Sequence, residues 1–311
     1  MSEKRTFSPS SEFSTQAHIS SEAALERFCE TARQQPDAFW AELSRAIEFK
    51  KPWEQVLNWQ MPLAKWFVNG KLNVSENCLD RHAKTNPHRT AILWEAEPYD
   101  KNGNSQTRKL SYQELLGLTC QIANALKDAG IQKGDRVAIY MPMIPETVAT
   151  MLACARIGAI HTVIFGGFSS SAIFDRCVDS GAKLIVTADG TYRRGNFLKL
   201  KAIVDEALAK PGHAVKNCLV FERDSSQPTA YVPGRDMKWA ESVLKQSKTC
   251  QAALLDSEDP LFILYTSGTT GKPKGLFHTQ AGYLLWAHWS ARWLFDLKAE
   301  TDLFWCTADC G

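Results

Sequence analysis

Between residues 136 and 187 the chain alternates short, uniformly apolar runs with amphipathic stretches, and this rhythm restricts the fold more than any other feature. The pattern predicts a strand over 136–140, a helix with Val148, Met151, Leu152 and Ala155 on one side, a strand over 160–165, a second helix, and a strand over 184–187. Strands this apolar must be covered on both faces, so consecutive βαβ units in a parallel sheet with helices on each side are expected. Further strands are expected at 91–95, 219–221, 261–265 and 303–306. Ser111 and Glu114 stand at capping-box spacing, with Leu115, Leu118, Ile122 and Leu126 on one helical face until Gly130. The Ser- and Pro-rich stretch 224–234 reads as a surface loop. The fold class is therefore α/β with layered sheets and helices, over residues 87–311. Residues 1–86, rich in tryptophan and broken by prolines, read as a helical cap, with helices near 22–30 and 38–47 and Trp53, Trp59 and Trp66 as packing anchors.

Charge narrows the partners. The 311 residues hold 36 basic and 34 acidic side chains, a formal charge of +2, too small for a broad field that would hold nucleic acid or an anionic membrane. No run approaches a membrane span, and the opening MSEKRTFSPSSEF has no apolar signal core. Nine scattered cysteines without C-x-x-C spacing fit free thiols in a reducing, cytoplasmic setting. Cys306 and Cys310 lie closest together, but with no further ligands in view no metal site is expected.

After the 261–265 run comes TSGTTGKPKG, residues 266–275. Gly268 and Gly271 let backbone N–H groups approach phosphate oxygens; Thr266, Ser267, Thr269 and Thr270 add hydrogen bonds; Lys272 and Lys274 add charge, with Lys272 equally readable as a solvated side chain. A P-loop is excluded because Pro273 stands five positions after Gly268 and Leu276 five after Gly271. A dinucleotide fingerprint is excluded because Pro273 would interrupt the helix it requires.

The run YTSGTTGKPKG from Tyr265 resembles the phosphate-loop signature of the adenylate-forming superfamily of acyl-CoA synthetases, luciferases and peptide-synthetase adenylation domains. WFVNGKLNVSENCLDRH from Trp66, GDRVAIYMPMIPE from Gly134, ACARIGAIHTVIFGGFS from Ala153 and WCTADCG from Trp305 are similar to the acetyl- and propionyl-CoA synthetase branch. The opening cap and HTQAGYLL from His278 favour the acetyl side. This resemblance implies the N-terminal half of that fold. It implies an acid–thiol ligase in which acetate or another short-chain carboxylate attacks the α-phosphate of Mg-ATP, giving an acyl-adenylate and pyrophosphate, before coenzyme A displaces AMP. It implies no tightly bound prosthetic group. Arg193, Arg194, Gly195 and Asn196 resemble the family's arginine-glycine coenzyme A segment, although the family commonly carries another basic residue where Asn196 stands.

The family sequence continues past Gly311 into the acyl pocket, hinge and lid with its catalytic lysine. No catalytic residue is therefore assigned in this chain, which is expected to be inactive alone. The alternatives are a propionyl-CoA synthetase portion, a nucleotide- or coenzyme A-binding remnant without turnover, and a structural remnant. His161 reads as a core residue. His278 could approach a phosphate, and Asp309 reads as an orienting or capping carboxylate.

Overall fold

The computed structural model describes residues 7–97, 104–266 and 273–311. Three helices open the chain: α1 (Ser11–Gln16), α2 (Glu22–Gln34) and α3 (Pro36–Ser44). Local chemistry starts each one. The hydroxyls of Ser10 and Ser21 accept from the N–H groups of Phe13 and Ala24, and Pro36 occupies the first turn of α3, where no N–H is needed. The cap then departs from the helical expectation. Strands β1 (Gln55–Gln60) and β2 (Leu63–Val68) form an antiparallel hairpin, followed by β3 (Lys71–Leu72), a π-helical turn (Glu76–Asp80) and α4 (Arg81–Thr85). Trp53 and Trp66 do anchor it: both rings pack on buried Phe67, and Trp66 also meets Trp40 edge-on. Trp59 does not, being 58% exposed where its strand runs toward the hairpin turn.

Beyond the cap, β4 (Thr90–Glu95) and β5 (Thr107–Ser111) pair antiparallel and lead into α5 (Tyr112–Asp128). The Ser111–Glu114 capping box is formed in both directions. Next come β6 (Arg136–Tyr140), α6 (Pro145–Ile157), β7 (Ile160–Val163), α7 (Ser170–Ser180) and β8 (Leu184–Ala188). A small hairpin of β9 (Thr191–Arg193) and β10 (Asn196–Leu198) precedes α8 (Leu200–Leu208), β11 (Asn217–Phe221), β12 (Asp236–Lys238) and α9 (Trp239–Ser242). The described chain continues through β13 (Leu255–Asp256), β14 (Pro260–Thr266), β15 (Lys274–Thr279) and α10 (Gln280–Trp293).

One seven-stranded sheet organises these elements in the order β12-β11-β8-β6-β7-β14-β15. All neighbours are parallel except β14 and β15, so the sheet is mixed rather than wholly parallel. Alternation along the strands divides the core. Val137, Ile139, Val186 and Leu219 join α5 and α6 on one face, while Ala138, Tyr140, Ile185 and Val220 join α7 and α8 on the other. Each large side chain fully withdrawn from water there contributes roughly 1.5–3 kcal/mol. In α6 the expected face of Val148, Met151, Leu152 and Ala155 is buried only at Ala155 and half-buried at the other three. Ala149, Ala153 and Ile157 occupy the core instead, because small residues let the helix lie close to the strands. No strand forms over 303–306; Leu303, Phe304 and Trp305 are exposed and join no ladder with a described strand, so the apolar run finds no partner backbone.

A buried polar node joins the cap to the sheet. Arg156, at the end of α6, makes a two-pronged bond to Asp80 at 2.8 and 2.9 Å, and also donates to the Cys250 carbonyl at 2.7 Å. Asn73 Nδ2 reaches the carbonyls of Ala155, Arg156 and Ala253. Nearby, β3 pairs with β13, and Lys71 binds Asp256 at 2.8 Å. Replacing Arg156 with Met would leave the partly exposed Asp80 carboxylate and the buried Cys250 carbonyl without their donor. We expect a loss of about 3 kcal/mol in urea unfolding of Arg156→Met. A change below about 1 kcal/mol would show that the node is not structural.

Candidate functional site

Because β6, β7, β8, β11 and β14 are parallel, their carboxyl ends share one edge of the sheet. In open α/β sheets this is the edge where backbone leaves the ladder free to meet a ligand, especially where strand order reverses. Here the order reverses around β6, flanked by β7 on one side and β8 on the other. β14 delivers Thr266 to this edge, and the chain returns through β15 with Lys274 directly across from Thr266. Thr266 and Lys274, which flank the glycine-rich run in sequence, thus pair at the end of a two-stranded stem whose return strand was not foreseen from sequence. Ser267, Gly268, Thr269, Thr270, Gly271 and Lys272 lie outside the described residues. The stem is held from the helical side: Tyr265 Oη donates to Asp179 Oδ2 at 2.6 Å, and the Arg176 guanidinium lies 5.3 Å from the Tyr265 ring and 4.4 Å from that of Phe168. Burial, reinforced by the Asp179 carboxylate, raises the Tyr265 phenol above its ordinary range, so it remains a donor.

Arg193, Arg194, Gly195 and Asn196 are brought together at the tip of the β9–β10 hairpin. Arg193 and Asn196 face each other in register, with Arg194 (φ 52°) and Gly195 (φ 73°) as the two turn residues. Two consecutive positive φ values match the turn twist that suits a two-residue hairpin, and glycine takes the second without strain. The turn is tied across the edge by the Arg194 N–H, which donates to Glu97 Oε1 at 3.0 Å. At its base, Gly190 has no room for a side chain: a Cβ would sit 2.5 Å from the Leu198 carbonyl oxygen and collide with the Phe197 ring.

Between this hairpin and the strand ends lies a cleft of about 290 Å³. Its walls include Trp94, Phe165 to Gly167, Tyr192, Arg193 and Arg223. Behind it, buried Asp189 accepts N–H bonds from Gly190, Arg223 and Asp224 at 2.6, 2.9 and 3.0 Å. Burial raises its carboxyl above the usual range even though these three donors oppose the shift. Sequence reading missed Asp189, Tyr192 and Arg223. The available signal was position alone, since Asp189 and Arg223 each stand just past the carboxyl end of a core strand.

The remaining candidates resolve differently. His161 is buried, as expected of a core residue; its ring stacks on Phe262, and its Nδ1 has no described hydrogen-bond partner. His278 stacks on the other neighbour position of Phe262, with ring centroids 4.5 Å apart. Asp309 lines the cleft and caps no described helix. All nine cysteines are free, and no cluster of three or more metal-ligating side chains occurs among the described residues. No described helix is long and apolar enough to cross a membrane.

Comparison with known proteins agrees with this architecture. The chain belongs to the AMP-binding enzyme family, whose model matches residues 79–311. Residues 25–78 match the model for the acetyl-coenzyme A synthetase N-terminus. Among curated relatives, acetyl-coenzyme A synthetase of Rhodopirellula baltica is 50% identical over 99% of this chain and 46% of its own length. That of Campylobacter jejuni is 48% identical over 98% of this chain and 46% of its own. The chain therefore spans about half the length of the curated relatives it matches. Acetoacetyl-CoA synthetase from Streptomyces lividans, a solved structure, superposes with a TM-score of 0.81 at 25% identity, covering 93% of this chain and 45% of that one.

Two outcomes follow from the site's construction. Gly190→Ala should push β10 off β9, and hydrogen exchange should show amides of residues 191–198 losing protection while those of β6 and β8 keep theirs. Uniform protection across both regions would contradict the close approach. Burial depresses His161 to about 4, below its unfolded value of roughly 6.5. Between these values the unfolded chain binds more protons, so stability should fall by about 3 kcal/mol as pH drops from 6.5 to 4, with no further loss from this group below that. Urea midpoints measured across this range should fall less steeply for His161→Phe; an equal slope would exonerate His161.

Proposed function

We propose that this chain carries the nucleotide-handling part of an AMP-forming acetate–CoA ligase. The observation that carries the reading is that the stem of the glycine-rich loop and the arginine hairpin, which follows β8, stand at the same edge of one sheet. That edge offers two anion-binding elements to one reaction, and the names of the relatives supply its chemistry. A carboxylate is too poor an electrophile for a thiol to attack directly. In the first half-reaction an acetate oxygen attacks the α-phosphorus of Mg-ATP, the bond from that phosphorus to the α,β-bridging oxygen breaks, and pyrophosphate leaves with that oxygen. Thr266, Ser267, Thr269, Thr270 and Lys274, with the backbone at Gly268 and Gly271 and a lesser part for Lys272, would receive the negative charge that grows on pyrophosphate. In the second, the coenzyme A thiolate attacks the acyl carbon and AMP departs.

The nucleotide end of coenzyme A would lie in the cleft beside Arg193, with Arg194, Gly195 and Asn196 shaping its rim. The substrates are thus small molecules, and the modest net charge supports this over nucleic acid. The free thiols support a reducing compartment such as the cytoplasm. In this proposed organisation residues 1–86 form the cap and 87–311 the AMP-binding portion.

The test is acetate-dependent ATP–pyrophosphate exchange, assayed on the chain as it stands and on the chain joined to the C-terminal remainder of the R. baltica relative. The joined protein should catalyse exchange, and Lys274→Ala or Gly268→Val should reduce it about a hundredfold, the scale of losing one preorganised donor. Melting temperature should be little changed. Absence of acetate-dependent exchange in a folded joined protein would overturn the ligase reading; near-normal exchange in both variants would remove the phosphate-loop assignment.

A further inference from the structure

The cleft contains a second guanidinium that the assignments above leave without a task. Arg223 follows β11 and lies between two aromatic rings, 5.5 Å from that of Tyr192 and 5.9 Å from that of Trp94. Its Nη1 donates to Thr191 Oγ1 at 2.6 Å, while its buried Nε has no described hydrogen-bond partner. No ion pair joins it to a described carboxylate. The three carboxylates that act on it are each committed elsewhere. Asp189 takes three backbone N–H bonds, Asp224 accepts from the Tyr192 hydroxyl and from Ser226, and Glu97 holds the hairpin turn through Arg194.

A half-buried cation normally acquires a hydrogen-bonded counter-charge, because desolvating it alone is costly. A guanidinium fixed between rings also presents its donors in one plane, which suits a phosphate better than a flexible ammonium would. Arg193 lines the same cleft, while its partner across the hairpin is the neutral Asn196. We propose that Arg223 binds a phosphate of the coenzyme A nucleotide in this cleft, providing beside Arg193 the second positive charge that Asn196 does not. This rests on the reading that the cleft takes coenzyme A, and names the residue that would select its phosphorylated form.

The competing role is structural: through Thr191, Arg223 would merely brace the turn that leads into β9. Calorimetric titration of the 311-residue chain with adenosine 3′,5′-bisphosphate and with adenosine separates the two. The wild type should prefer the bisphosphate, and Arg223→Ala should reduce that preference tenfold or more. Arg223→Lys should retain part of it, and Thr191→Val, which cuts only the brace, should leave it intact. Arg223→Gln removes the charge but keeps a hydrogen-bonding group near Thr191, and should show the same loss if the alanine variant does not fold. Equal weakening of both ligands in Arg223→Gln, or an unchanged preference, would overturn the proposal. If Arg193→Ala lowers bisphosphate affinity while Arg223→Gln does not, this proposal alone fails. If the folded wild type binds neither the bisphosphate nor coenzyme A, the coenzyme A reading of the cleft fails with it.

Discussion

The pairing of Arg156 is the constraint on which the arrangement of this chain turns. A guanidinium with a side chain only 6% exposed must find several acceptors at once, and those available come from segments far apart in sequence: Asp80 and Ser75 from the cap side, Cys250 from the approach to β14. Satisfying it brings residues 75–80, the end of α6 and the segment after 250 into one place. Asn73 and the short β3–β13 pair extend the same junction. The cap is consequently built into the body. Its apolar residues Ile47, Val56, Phe67 and Leu72 share a core with Ala281 and Leu285 of α10.

That junction bears on the site because it lies at the foot of β14. From Leu255 the chain enters β14 beside β7 and climbs to Thr266, so the position of Thr266 depends on how the strand is seated below it. Side-chain bonds then steady the upper end, with Tyr265 held to Asp179 of α7. The arginine hairpin is supported in a different way. It sits on Gly190, where the backbone itself approaches, and on Asp189, whose carboxylate gathers N–H groups from the ends of two strands. Both elements acquire a common orientation from one fact, that parallel strands all end on the same side.

Parts of this were legible beforehand. The apolar runs at 136–140 and 184–187 could only be core strands, and the Ser111–Glu114 box wrote the start of α5 in four residues. Other parts were not. The cap's tryptophans suggested packing but not the β1–β2 hairpin that presents them, since aromatics suit strands and helices alike. The 303–306 run has strand composition but no partner ladder among the described residues, and a strand exists only in company. β15 was hidden for the opposite reason: Leu276 and Phe277 are exposed, and the ladder with β14, not an apolar alternation, makes it a strand.

By itself, then, the sequence determined the α/β rhythm, the capped start of α5, the glycine-rich run and the arginine-glycine segment, because each depends on chemistry within a few neighbouring residues. Tertiary structure decided which of them meet. Arg223 is the sharpest instance, an ordinary residue after an ordinary strand until Tyr192 and Trp94 close around it and Asp189, Asp224 and Glu97 are found already engaged. Whether a charge is paired is a property of every group that could reach it, and those groups come here from residues 94–97 as well as 189–224, so no local pattern could have recorded it.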